Sequence, residues 1–161
     1  MNKRKVPGLH QLSSLVRSLK RQKKDIVFTN GCFDLIHAGH VRYLRKARSL
    51  GDVLVVGVNT DASVRKLKGP RRPLMRLAHR LEVLSALESV DFVVPFSEET
   101  PERLIRRIAP HILVKGADYR TQEIAGAQFV RQWGGKVIRI PMAKGLSTSK
   151  LLARIRQTHR S

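Results

Sequence analysis

Two histidines and two glycines, groups that suit an anion, fall close together in Thr29-Asn30-Gly31-Cys32-Phe33-Asp34-Leu35-Ile36-His37-Ala38-Gly39-His40. His37 and His40 are three residues apart, so both imidazoles share roughly one face of a helix starting there. Gly39 between them would let a phosphate approach the backbone closely, and a helix N-terminus offers unpaired N–H groups. Zinc suits these residues poorly, because the chain has one cysteine and no second His/Cys cluster. On spacing alone the pair reads either as an anion site or as incidental. Cys32 has no neighbouring base to make it a thiolate and reads as a small packed residue. Asp34 fits a turn or loop cap.

These residues need a scaffold, and the hydrophobic pattern supplies one. Apolar runs at residues 26–28, 53–58, 92–94, 112–114 and 137–140 read as five short strands, the second buried on both faces. Leu9, Leu12, Leu15, Val16 and Leu19 recur at helical spacing, and Val41, Leu44 and Ala47 do so after His40. Leu77, Leu81, Leu84 and Leu87 stripe another helix, either core or a subunit interface. Further helices carry Leu104, Ile105 and Ile108, then residues 124–133, then Leu151, Leu152 and Ile155 with Ser147 as a cap. Residues 65–73 read as a basic loop, with Gly69-Pro70 as a breaker. Trp133 reads as a helix-end aromatic. The alternation predicts an α/β fold: a doubly wound five-stranded parallel sheet with helices on both faces. A basic helical segment, residues 1–24, precedes a single domain over residues 25–161. Ligands in such a sheet bind outside the carboxyl ends of the strands, which is where the histidine segment falls.

Composition narrows the partners. The chain has 161 residues and a formal charge of +20, from 32 Lys+Arg against 12 Asp+Glu. Residues 1–24 hold eight basic and no acidic groups, and residues 136–161 hold seven and none. Residues 61–80 hold seven basic groups against Asp61 alone, whereas residues 81–135 are mildly acidic. Such a surface attracts polyanions: nucleic acid, acidic lipid or phosphorylated small molecules. No apolar run approaches a membrane span, no signal-peptide pattern is present, and one cysteine excludes an intramolecular disulfide framework. A cytoplasmic domain is the expectation.

In its context, after a buried strand and opening a helix, His37-Ala38-Gly39-His40 resembles the HxGH signature of the nucleotidyltransferase superfamily, which includes cytidylyltransferases and several adenylyltransferases. The whole of residues 26–52 resembles adenylyltransferase domains that make ADP-heptose from heptose 1-phosphate and ATP. Residues 58–69 (VNTDASVRKLKG), 100–105 (TPERLI), 114–119 (VKGADY) and 145–149 (GLSTS) agree with that family in order. In many relatives the domain follows a sugar kinase; this chain reads as the transferase domain alone. The resemblance implies a Rossmann-like HxGH nucleotidyltransferase fold, Mg²⁺ entering with ATP, and a homodimer; no protein side chain is singled out as a metal ligand. It implies catalytic roles for His37, His40, Lys68 and Arg80. Nucleotide binding falls to Thr29, Asn30, Gly31, Cys32, Phe33, Gly39, His40, Lys115, Gly116, Asp118, Gly145, Ser147, Thr148 and Ser149. Acceptor binding falls to Asp34, Asp61 and Lys68.

The implied chemistry needs no protein nucleophile. A sugar 1-phosphate is already anionic and can attack the α-phosphorus of ATP directly, so catalysis is positioning and charge stabilisation. The expected products are ADP-heptose, for the lipopolysaccharide core, and pyrophosphate. A second reading keeps the chemistry but takes CTP with glycerol 3-phosphate or another polyol phosphate. Met142 and Lys144 stand where cytidylyltransferases often have arginine and glutamate, and the first difference weakens it modestly. A nucleic-acid-binding module on the same fold is the third reading; it rests on the charge and lacks a recognition helix or zinc finger.

Overall fold

The computed structural model describes residues 5–117, 124–141 and 148–158. Its elements alternate as α1 (Leu9–Arg21), β1 (Ile26–Gly31), α2 (Ala38–Arg48), β2 (Val53–Asn59), α3 (Asp61–Lys68), α4 (Leu77–Ala86), β3 (Phe92–Phe96), α5 (Glu102–Ile108), β4 (Ile112–Gly116), α6 (Ala127–Gln132), β5 (Lys136–Ile140) and α7 (Thr148–Thr158). The five strands form one sheet in the order β3-β2-β1-β4-β5, and every pairing is parallel. The order reverses direction between β1 and β4, so the crevice above the end of β1 is the switch point of a doubly wound sheet.

Strand alternation builds two cores. Ile26, Phe28, Val53 and Val55 point to one face and meet Leu12 and Val16 of α1, Leu104, Ile105 and Ile108 of α5, and Val130 of α6. Val27, Leu54 and Val56 point to the other and meet Tyr43, Leu44 and Ala47 of α2 with Leu81 and Leu84 of α4. All seven residues of β2 are buried, as expected of a central parallel strand covered on both sides. The apolar face of α1 is thus covered within the chain, while its Lys and Arg side chains remain outside. Leu77 and Leu87 of the leucine stripe also pack against the α2/α4 core. Among the described residues, no helix is long and apolar enough to cross a membrane.

Two elements differ from the pattern read in the sequence. Residues 61–68, partly assigned to a basic loop, form helix α3. Its N-cap, Thr60, accepts a hydrogen bond from the Ser63 N–H, Asp61 lies in the first turn, and Arg65, Lys66 and Lys68 lie in the last. These are favourable placements for a helix dipole. Helix α6 starts at Ala127 instead of Ile124 because Gly126 takes a left-handed φ of 82°. A Cβ there would come within 2.5 Å of the Ile105 side chain, so only glycine fits the approach to α5.

The N-terminal arm has a fixed anchor. The Lys5 Nζ donates to the carbonyls of Leu87 (3.1 Å) and Val90 (2.7 Å), which follow the C-terminal end of α4. A cation at that negative helix end is electrostatically favourable.

Candidate active site

The ends of β1 and β2 and the starts of α2 and α7 surround a cleft of about 630 Å³. Asn30, Gly31, Cys32, Phe33, Asp34 and His40 line it from the β1–α2 segment, Lys68 from α3, Lys115 from β4 and Thr148 from α7. In the sequence these groups are spread from residue 30 to residue 148. Parallel strands place their carboxyl ends along one edge, which is why they meet.

His37 is the N-cap residue of α2 in extended backbone geometry, and its carbonyl accepts from the N–H groups of His40 and Val41. The two imidazoles pack against each other tilted by 30°, with centroids 4.0 Å apart, and Phe33 leans on His40 at 5.4 Å. Burial, with His37 beside it, pushes His40 down to about 4; burial lowers His37 as well. At neutral pH both rings are therefore neutral in the free protein. The Nδ1 atoms of both rings are buried and have no hydrogen-bond partner among the described residues. Phe33 takes a left-handed φ of 48°, an uncommon geometry for a bulky residue. It brings the ring over Gly31, where a Cβ would sit 3.2 Å from it, and against His40.

Asp34 is nearly buried and fully engaged. Its Oδ1 accepts from the N–H groups of Leu74 (2.7 Å) and Met75 (3.0 Å), and its Oδ2 pairs with Arg72 Nη1 at 2.7 Å. It therefore ties the α3–α4 loop over the cleft and brings Arg72 into the lining. Lys68 is exposed at the last turn of α3. Lys115, nearly buried, reaches back to donate to the Asn30 carbonyl at 3.2 Å.

Arg80 and Asp61 lie beneath the cleft and do not line it. Arg80 is completely buried, donating from Nε to the Met75 carbonyl (3.0 Å), from Nη1 to the Cys32 carbonyl and from Nη2 to Asp61 Oδ1 (2.7 Å). One guanidinium thus fixes the β1–α2 segment, the loop before α4 and the start of α3 relative to one another. Thr29 is also buried, with its hydroxyl 2.7 Å from that of Tyr43. Gly39 is buried in the first turn of α2, and Gly116 is buried at the end of β4.

Burial raises the Cys32 thiol against the opposing pull of Lys68, Arg80 and Lys115, which leaves it protonated and packed. Thr148 donates to the Leu35 carbonyl at 3.3 Å, joining the start of α7 to the β1–α2 segment. Asp118, Gly145 and Ser147 lie outside the described residues, as do Met142 and Lys144; of Ser149 only the helical backbone is described.

Several lining residues carried no signal that singled them out in the sequence. Asn59 ends β2, with its Nδ2 donating to Ser63 Oγ at 2.9 Å, and Arg72, Glu99 and Ile124 also belong to the wall. Arg72 was legible only as one charge in a basic run. No group of three or more His, Cys, Asp or Glu side chains able to hold a metal occurs among the described residues. The cationic wall and two helix N-termini suit a polyphosphate that brings its own divalent ion.

The cytidylyltransferase-like family model matches residues 28–154, a span running from β1 to α7 that contains every group of the cleft. The chain belongs to the cytidylyltransferase-like family. Within the curated proteins, it is 54% identical over 147 residues to the bifunctional protein HldE of Hydrogenovibrio crunogenus, covering 91% of this chain and 31% of that protein. It is 50% identical over 152 residues to the bifunctional protein HldE of Geotalea uraniireducens, covering 94% and 31%. The chain thus spans about a third of the length of these curated relatives. Among solved structures, a lipopolysaccharide core biosynthesis protein from Thermoplasma volcanium superposes with a TM-score of 0.65 at 28% identity, covering 75% of this chain and 99% of that one. A pantoate-beta-alanine ligase from Francisella tularensis superposes at 0.64 with 18% identity, covering 97% and 79%; it shares the fold. This cytidylyltransferase-like domain therefore has the Rossmann-like nucleotidyltransferase architecture, with its HxGH segment at the switch point.

Proposed function

We propose that this cytidylyltransferase-like domain transfers AMP from ATP to D-glycero-β-D-manno-heptose 1-phosphate, releasing ADP-heptose and pyrophosphate. The observation that carries the reading is one cleft in which His40, Lys68, Arg72 and Lys115 meet beside the N-termini of α2 and α7. The choice of heptose and ATP is supported by the ordered resemblance of residues 26–52 and the later segments to ADP-heptose-forming domains. The HldE relatives and the lipopolysaccharide core biosynthesis protein agree with it.

A phosphate oxygen of the sugar 1-phosphate attacks the α-phosphorus of ATP, and the bond from that phosphorus to the bridging oxygen of the β-phosphate breaks. The attacking oxygen carries no proton, so no general base is needed. His37 and His40 donate to the α-phosphate and the departing pyrophosphate, where charge builds up. Lys68, Arg72 and Lys115 hold the phosphates in line. Asp118, Gly145, Ser147, Thr148 and Ser149 complete the nucleotide side. Asp34 and Arg80 act through the loops they fix. Mg²⁺ entering with ATP would supply charge neutralisation across the triphosphate. We place the protein in the cytoplasm.

The test is pyrophosphate release and ADP-heptose formation from ATP and heptose 1-phosphate, run beside CTP with glycerol 3-phosphate. Release only in the CTP arm would overturn the choice of substrates.

A further inference from the structure

Asn30 occupies an unusual position for a polar side chain. It lies one residue before the end of β1 and borders the cleft. Its side chain runs over Gly57 of β2: a Cβ at residue 57 would lie 3.1 Å from the Asn30 Cβ, 2.9 Å from the Phe28 ring and 3.3 Å from Leu104. Glycine at 57 therefore makes room for it, on the sheet face covered by α1, α5 and α6. The side-chain oxygen of Asn30 is buried and has no hydrogen-bond partner among the described residues. Lys115 donates to the backbone carbonyl of Asn30, which leaves the carboxamide to a different task. A buried acceptor without a donor is costly unless a ligand supplies one.

The geometry of the reaction says which ligand. His37 and His40 belong to α2, which packs on the opposite face of the sheet through Tyr43, Leu44 and Ala47. In-line displacement puts the attacking and leaving groups on opposite sides of the α-phosphorus. With pyrophosphate leaving toward the histidines, the attacking phosphate and its sugar lie on the Asn30 face. There the wall offers a second carboxamide, Asn59, which is fixed by Ser63. Carboxamides both donate and accept, as hydroxyl groups do.

We propose that Asn30 recognises the acceptor: its carboxamide takes a hydrogen bond from one hydroxyl of the sugar ring, on the sheet face opposite the histidine pair. The assignment rests on the adenylyl-transfer reading above and moves Asn30 from the nucleotide to the sugar.

The experiment is steady-state kinetics with ATP and heptose 1-phosphate for wild type, Asn30→Ala and Asn30→Asp, with thermal melts to confirm folding. A second arm gives the wild-type protein a set of monodeoxy heptose 1-phosphates. Asn30→Ala should raise the KM for the sugar phosphate about tenfold or more, as loss of a buried hydroxyl contact does, and leave the KM for ATP within about twofold. Asn30→Asp, which keeps an acceptor oxygen, should recover part of the loss. One deoxy analogue should lose at least about tenfold in kcat/KM with wild type and lose nothing further with Asn30→Ala. If Asn30→Ala raises the KM for ATP and spares that for the sugar, the carboxamide reads the base and the proposal fails. Equal turnover of every deoxy analogue by wild type would also overturn it, whatever the variants do. No turnover of any sugar 1-phosphate by wild type would remove the reaction itself, and the assignment with it.

Discussion

His40 shows how one environment sets both chemistry and stability. Burial, and then the neighbouring His37, hold it at about 4 against a usual 6.5. Between those values the unfolded chain binds a proton that the folded chain refuses, so the folded state loses stability as pH falls from 6.5 to 4. Urea melts from pH 7 to 4.5 should show this loss, with a shallower slope in His40→Gln. A bound triphosphate reverses the balance, since a nearby anion favours the imidazolium. ATP binding at pH 6 should therefore take up protons, visible as a buffer-dependent binding enthalpy that His40→Gln reduces. In the proposed reaction, His37→Ala or His40→Ala should lower kcat by about 10²–10³, the scale of losing one transition-state donor. Wild-type turnover in either variant would remove the histidines from the mechanism.

Elements hold these residues by a few crossing bonds. Arg80 connects the β1–α2 segment, the loop before α4 and the start of α3, with no exposure of its own. Arg80→Met leaves two carbonyls and Asp61 without their donor and should cost about 2–4 kcal/mol in urea unfolding. Arg80→Lys should not restore full stability, because an ammonium cannot present three bonds in the guanidinium plane. Asp34→Asn would free Arg72 and loosen the loop over the cleft. Gly57→Ala drives a Cβ to within 2.9 Å of the Phe28 ring. About 1–3 kcal/mol of overpacking is expected from it, read by the shift in urea midpoint. The short helix α3 was hard to see because Val64 and Leu67 are its only large apolar residues and define no stripe. Its signal was the Thr60 cap and the charge order along it.

At the scale of the molecule, the +20 charge is divided between uses. The basic stretch from residue 61 to 80 supplies Lys68 and Arg72 to the cleft and Arg80 to its foundation. Lys5 closes the end of α4. Much of the remainder sits exposed, as in Arg17, Arg21, Lys23 and Lys24 of the segment around α1. Exposed charges act through a field that salt screens over about 8 Å at physiological ionic strength. Raising NaCl from about 50 to 500 mM should therefore raise the KM for ATP several-fold with a much smaller change in kcat. Duplex DNA should compete with ATP at the low salt and lose that competition at the high one. DNA binding that survives high salt would favour the nucleic-acid reading.

The sequence by itself determined the strands, the parallel α/β class and the histidine segment at a strand end. Those features are written in local periodicity: a strand covered on both faces is a continuous apolar run, and a helix repeats its apolar residues every three or four positions. It also placed Lys68 and Lys115 near the strand ends, where both line the cleft. Only the tertiary structure decided which charges face the cleft and which support it. Arg80 and Lys68 look alike as basic residues, yet one is sealed beneath three partners and the other is exposed at the rim. Arg72 enters the wall because Asp34, thirty-eight positions away, holds it there. Asn30 becomes a buried acceptor because Gly57 on the neighbouring strand has no side chain. Each of these depends on register and long-range pairing, which local patterning does not encode.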